Sequence, residues 1–197
     1  MVEKKIGIVG GSGSGKTTLT IAMQQYFNNQ ISVLSLDDYY NPLGQQLKDE
    51  NGHTNFDLPS ALNWELFHQH FDLLMAGKTV VINKYQFNNP LAVKEKKIIY
   101  PKSLLFVEGI FLSNNLKLFS NLDYIIFLKT TEDLMFKRRM KRDIEERNIS
   151  VKMIEYQWQN HFLPAYHQYV LNYEKEADFV IDTSVAFNLD EIIQQIK

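Results

Sequence analysis

Eight consecutive residues, Gly10-Gly11-Ser12-Gly13-Ser14-Gly15-Lys16-Thr17, have the Gly-x4-Gly-Lys-Thr spacing of a Walker A phosphate loop. Glycines let successive backbone N–H groups turn toward phosphate oxygens with no Cβ in the way. A helix opening at Lys16 adds the partial positive charge of its N-terminus. Lys16 can reach the β and γ phosphates, Thr17 offers a hydroxyl to Mg²⁺, and Thr18 continues the helix beside the same site. The chemistry expected of residues 10–18 is the binding of ATP, or GTP, with Mg²⁺.

Three further groups could turn nucleotide binding into phosphoryl transfer. The run Leu104-Leu105-Phe106-Val107 reads as a buried strand and ends in Glu108, a carboxylate placed to hold Mg²⁺ or its waters, with Gly109 turning the chain away. The segment 35–40 carries Asp37 and Asp38 at another strand end, where Asp37 can accept the proton of an attacking hydroxyl and Asp38 more simply caps a turn. On one helix, Arg138 and Arg142 share a face and Arg139 lies one residue round, with Arg147 beyond them. Asp143, Glu145 and Glu146 can pair with this basic run, but beside a phosphate loop it reads as a lid that closes arginines, Arg142 among them, over the transferring phosphate.

These residues need a frame that gathers them. Strand-like runs at 5–9, 31–36, 79–84, 104–107, 124–129 and 178–182 alternate with helical stretches at 16–27, 63–76, 131–147 and 151–173. The expected fold is α/β, a P-loop-type parallel sheet flanked by helices, with a helical lid, a small β excursion for the substrate, and ligands beyond the carboxyl ends of the strands. A single domain over 1–197 is expected, with a lid at about 131–150 and substrate-side segments at about 37–60 and 79–99. Residues 41–59, with Pro42, Gly44, Gly52 and Pro59, read as a substrate loop.

Composition narrows the class. Apolar residues at 45% and charged ones at 22% suit a globular chain, and no segment approaches the ~20 apolar residues of a membrane span. The opening residues 1–9 are too short an apolar run for a signal peptide. With no cysteine there is no disulfide, thiolate metal site or cysteine nucleophile, which fits a cytoplasmic location. A net charge of −2 argues against nucleic acid as partner, so the expected partner is a small molecule, with homo-oligomerisation left open. None of the five histidines has metal-ligand spacing, and His68 and His70 are read as packing or surface residues, as Trp64 and Trp158 are read as core.

Over nearly its whole length the chain resembles the uridine kinases (uridine–cytidine kinases) of the phosphoribulokinase and uridine kinase group. The resemblance rests on residues 10–18, 35–40, Asn55-Phe56-Asp57-Leu58-Pro59, Tyr85-Gln86-Phe87, Val107-Glu108-Gly109-Ile110, and Arg138-Arg139 through Arg142-Asp143 to Arg147. It implies a nucleoside as small-molecule substrate, phosphorylated on its 5′-hydroxyl with Asp37 as base. Asp57 and Arg139 would hold the ribose, Tyr85 and Phe87 would pack the nucleobase, Arg142 and Arg147 would serve as lid arginines, and Gln157 would complete the substrate pocket. Three positions depart from the pattern: Pro90 stands where pyrimidine readers carry histidine, and Asn148-Ile149 stands where they carry glycine and arginine. Nucleobase contacts are thereby thinned while phosphate and ribose machinery is kept. Another alcohol, such as nicotinamide riboside, pantothenate or a sugar phosphate, is the neighbouring reading. A slow nucleotide-hydrolysing switch and a family member that binds without turnover are the alternatives from other classes.

Overall fold

The computed structural model describes residues 2–85 and 95–196. Along the chain run β1 (Lys4–Gly10), α1 (Lys16–Tyr26), β2 (Ile31–Ser35), α2 (Trp64–Met75), β3 (Val80–Asn83), β4 (Lys96–Ile99), β5 (Leu104–Glu108), α3 (Leu116–Phe119), β6 (Tyr124–Lys129), α4 (Glu132–Glu145), α5 (Val151–Gln157), α6 (Leu163–Tyr169), β7 (Phe179–Asp182) and α7 (Leu189–Ile196). Five strands form one parallel sheet in the order β2-β5-β1-β6-β7. Its inner strands are apolar on both faces, as a sheet covered by helices on both sides requires. Ile6 and Ile8, Phe106, and Ile126 and Leu128 turn to one face, where α1 brings Leu19 and Met23 and α7 brings Ile192, Ile193 and Ile196. Val9, Leu105, Val107, Ile125 and Phe127 turn to the other, against Phe67, Phe71 and Leu74 of α2 and the aromatic run Trp158, Phe162 and Tyr166.

Residues 79–84 do not join this sheet. β3 pairs antiparallel with β4 in a separate two-stranded ribbon, and β4 has no counterpart among the strands expected from sequence. The reason is the alternation in β3: Val80 and Ile82 are buried, Val81 and Asn83 exposed, a one-sided pattern that a doubly covered parallel strand cannot use. The stretch 151–173 is likewise not one helix. A π-helical segment, Trp158–Phe162, separates α5 from α6, and Pro164 near the start of α6 lacks the N–H that an unbroken helix would use.

Local chemistry fixes the elements that bear on the site. The side chains of Asn63, Thr131 and Ser150 accept from Leu66 N, Leu134 N and Met153 N and so cap α2, α4 and α5. After α4 the chain reverses through Asn148 at φ +52°, in the left-handed region where asparagine is the commonest substitute for glycine. That accounts for the Asn148 departure, and Ile149 N then returns to Asp143 O at 3.0 Å.

All five parallel strands end at one edge, and α4 lies across it so closely that a Cβ on Gly13 would come 2.6 Å from Met135 O. Gly13 and Gly52 share φ +80°, but nothing lies within 4 Å of a Cβ on Gly52. We expect Gly52→Ala to cost about 1–2 kcal/mol from backbone strain alone. Gly13→Ala should cost a further ~1–3 kcal/mol of overpacking against backbone. Chemical denaturation of the two variants measures the difference, and equal losses would show that α4 yields.

Candidate active site

The phosphate loop joins the end of β1 to α1 and opens into one cavity of 1110 Å³. Gly15, at φ +96°, is the N-cap of α1, and no side chain caps that helix, so its first N–H groups face the cavity edge. The Lys16 ammonium donates to Gly10 O at 3.0 Å and Gly11 O at 2.9 Å. Burial lowers its pKa, opposed by the nearby Glu108 and Asp37 carboxylates. Thr183 after β7 donates to Ser14 O at 2.8 Å and so braces the loop from behind. Thr17 and Thr18 line the same space and are exposed to it.

Two acids stand beside the lysine. Ser35 at the end of β2 donates to Glu108 Oε1 at the end of the neighbouring β5, and the same hydroxyl accepts from Asp37 N at 3.2 Å. One serine therefore sets both carboxylates, a role the sequence segment 35–40 did not disclose. Asp37 and Asp38 both line the cavity, Asp37 exposed to it and Asp38 engaged in an ion pair with Lys97 of β4 at 2.9 Å. Glu108 is buried, and its Oε2 has no hydrogen-bond partner among the described residues. Among those residues no group of three or more His, Asp or Glu could hold a metal alone. The unmatched Oε2 and the Thr17 hydroxyl fit an ion such as Mg²⁺ that takes most of its oxygens from phosphates and water.

Above the loop, α4 supplies cations arranged by one acid. Asp143, 1% exposed, accepts at Oδ1 from Arg142 Nε at 2.8 Å and pairs there with Arg147 Nη1 at 3.0 Å, while Oδ2 lies 3.4 Å from Arg139 Nε. Arg142 also reaches Ser12 Oγ at 3.4 Å. Arg138, on the face it shares with Arg142, instead grips backbone, Thr183 O at 2.9 Å and Gly13 O at 3.3 Å. Arg139 forks onto Asp57 with contacts of 3.3 and 3.2 Å and lies 5.3 Å from the centre of the Phe162 ring. Burial works against its charge, but Asp57 and Asp143 more than offset this and raise its pKa. Burial lowers that of Arg147, helped by the Arg142 charge beside it.

Away from the phosphate loop the cavity is walled by Tyr40, Phe56, Tyr85, Gln157 and His161. The rings of Tyr40 and Phe56 meet edge to face at 6.0 Å, and those of Tyr40 and Tyr85 lie 5.4 Å apart. Asp57, Arg139, Arg147, Tyr85 and Gln157, all named from sequence, thus line the cavity that Lys16 and Asp37 enter. Phe87 and Pro90 lie outside the described residues. Asp143 was seen only as a partner for the basic run, and His161 only as lacking metal-ligand spacing. The signal for the first was its spacing of four residues from both Arg139 and Arg147. For His161 it was a spacing of four from Gln157.

A phosphate loop at the carboxyl edge of a parallel sheet, with acids and arginines around it, defines a P-loop phosphotransferase that uses a nucleotide such as ATP. The model of the Phosphoribulokinase / Uridine kinase family matches residues 5–189, and the chain belongs to that family. Among its relatives, a uridine kinase of Halobacterium salinarum is 30% identical over 94% of this chain and 84% of its own length. Uridine-cytidine kinase B of Dictyostelium discoideum is 33% identical over 98% and 80%. In fold, the phosphoribulokinase of Rhodobacter spheroides superposes with a TM-score of 0.64 at 14% identity, over 93% of this chain and 73% of that one.

Burial, with the Asp37 charge adding to it, pushes the Glu108 carboxyl up to about 7. Between its ordinary value of 4.5 and about 7 the folded protein therefore holds a proton that the unfolded chain has released. The stability from this group is full below pH 4.5 and is lost as pH rises through about 7, on the order of 3 kcal/mol in all. Glu108→Gln, which can still accept from Ser35, should flatten that loss. Thermal unfolding of both proteins without nucleotide from pH 4.5 to 7.5 tests this, and parallel curves would contradict it.

Proposed function

We propose that the protein is an ATP-dependent kinase that phosphorylates the 5′-hydroxyl of a ribonucleoside. The observation that carries this reading is the shared cavity: Lys16 and the phosphate loop form one end, aromatic rings and Gln157 the other, and Asp37 enters between them. A nucleotide hydrolase has no use for a second, aromatic-walled end. The names of the relatives, uridine kinase and uridine-cytidine kinase, support a nucleoside acceptor.

In this reading the acceptor hydroxyl attacks the γ-phosphorus of ATP, its proton passes to Asp37, and ADP leaves with the cleaved bridging oxygen. Asp37 is exposed in the cavity and anchored through its own N–H to Ser35, so it can turn toward the hydroxyl without a change of backbone. Lys16 balances charge on the β and γ phosphates. Arg142 and Arg147, held on one carboxylate, meet the transferring group from the lid side, residues 131–150, and displace water from it. Thr17 and Glu108 would hold Mg²⁺, which neutralises phosphate charge when bound. Asp57 and Arg139, already paired in plane, offer an acceptor oxygen and guanidinium N–H groups to the vicinal hydroxyls of a ribose.

With Ile149 where the family pattern has arginine, nucleobase selection rests on packing against Tyr85 and Phe56 and on the Gln157 amide. Weak discrimination among nucleobases follows, because apolar packing separates related ligands by far less than buried polar contacts do.

An ADP-release assay over uridine, cytidine, deoxyuridine, purine nucleosides and nicotinamide riboside tests the reading. Ribonucleosides should be turned over, with deoxyuridine poorer by about 1–3 kcal/mol in kcat/KM for the unpaired Asp57–Arg139 groups. Asp37→Asn should bind ATP normally and lose roughly 10²-fold or more in kcat. Turnover of none of these, with turnover of another alcohol, would overturn the nucleoside assignment. An unchanged kcat in Asp37→Asn would move the base elsewhere.

A further inference from the structure

Residues 47–55 form a small hairpin in front of the aromatic end of the cavity. Lys48 bridges Thr54, Asn55 N donates to Leu47 O at 2.8 Å, and Asp49 N donates to His53 O at 2.9 Å. Its inner residue is an acid with four partners. Asp49 Oδ1 accepts from Asn51 N at 3.0 Å and His53 N at 2.8 Å, while Oδ2 accepts from Tyr156 Oη and meets His161 Nε2, both at 2.7 Å. Tyr156 Oη in turn accepts from Asn51 Nδ2 at 2.7 Å, and its ring lies 4.7 Å from that of His53. The hairpin is thus bolted to α5 and the π-helical segment after it.

The bolt reaches residues already placed in the acceptor end. Gln157 follows Tyr156 directly, and Phe162, under the Arg139 guanidinium, follows His161. On the hairpin side, Asn55 Oδ1 accepts from Asp57 N at 2.9 Å, so the position of the hairpin sets Asp57 and through it Arg139. An ionised carboxylate can only accept, which assigns a proton to His161 Nε2. The buried Nδ1 has no hydrogen-bond partner among the described residues, and the ring is held by Asp49 and by an edge-to-face contact with Tyr156 at 5.6 Å. Partial desolvation opposes the Asp49 charge, but the donors Tyr156, His161, His53 and Asn51 outweigh it and hold the carboxyl well below the usual range. The π-helical geometry of 158–162 is the kind of local departure that recurs where a helix serves a site.

We propose that Asp49 is a positioning residue for acceptor binding, a latch that fixes the separation between the wall carrying Thr54, Phe56 and Asp57 and the wall carrying Gln157 and His161. This rests on the assignment of the aromatic end to the acceptor. ATP contacts the other end, beside Lys16 and the loop after β7, and does not depend on the latch.

Steady-state kinetics of Asp49→Ala and Asp49→Asn test it, with whichever alcohol the wild-type enzyme turns over fastest as acceptor. Asp49→Ala should raise the acceptor KM about tenfold, as expected for slack between two walls of a binding site, with the ATP KM unchanged within about twofold. Asp49→Asn keeps an oxygen for Asn51 N and His53 N inside the hairpin but loses the carboxylate oxygen that Tyr156 and His161 share, so it should still raise the acceptor KM, by less than Asp49→Ala. In hydrogen exchange without substrates, the Asn51 and His53 amides should be deprotected in Asp49→Ala while amides of residues 13–18 keep their wild-type protection. A lower melting temperature with both KM values unchanged would make Asp49 a purely structural residue and overturn the proposal. Equal increases in both KM values, or unaltered exchange at Asn51 and His53, would overturn it as well. Failure of the nucleoside assignment is read separately, from the identity of the alcohol that the wild-type enzyme uses.

Discussion

Three guanidinium groups converge on the carboxylate of Asp143, and the site cannot hold its shape without that convergence. Arginines repel one another, and burial costs each of them hydration, so a cluster of three beside a phosphate loop needs an anion even when no phosphate is present. Asp143 supplies it from within the same helix, with Arg139 and Arg147 four residues away on either side and Arg142 adjacent. From this point the contacts spread outward, Arg139 to Asp57 and Phe162, Arg142 to Ser12 of the phosphate loop. A triphosphate entering the cavity would compete for the same cations. Arg142 and Arg147, which share the one oxygen Oδ1, can change partner with a small rotation, whereas Arg139 stays forked onto Asp57.

A second constraint works beneath the loop. Ser35 ties the ends of β2 and β5 through Glu108 and, by accepting from Asp37 N, fixes the start of the turn that exposes Asp37. Neighbouring parallel strands thereby deliver two carboxylates with different environments, one buried and protonated to about neutral pH, the other open to the cavity. In the proposed reaction, such a division would keep Glu108 for a metal ion and Asp37 for the acceptor hydroxyl.

Much of the frame was readable in the sequence because it follows from short-range rules. The glycine pattern of residues 10–17, the two-sided apolar strands and the caps at Asn63 and Thr131 each depend on neighbours in the chain. What escaped depends on partners far away. The small β excursion on the substrate side was expected, but its second strand at 96–99 was not, because half of its residues are lysines. Asp49 and His161 are 112 positions apart, and each alone is an ordinary polar residue. Asn148 shows the reverse case: a departure from the family pattern that preserves backbone geometry, since asparagine accepts the left-handed turn that glycine would make. Ile149 beside it is not among the residues that line the cavity, and its backbone N–H returns to Asp143 O.

The central claim, that one carboxylate arranges the lid arginines for transfer, is tested most directly by the kcat of Asp143→Asn alongside its melting curve. The amide fills the same volume but cannot balance three guanidinium charges. The expected result is a fall in kcat of about 10²-fold with a smaller change in the ATP KM, since misplaced cations lose more in the transition state than in the ground state. A kcat within about twofold of wild type, with only the melting temperature lowered, would contradict it and reduce Asp143 to a packing contact of α4.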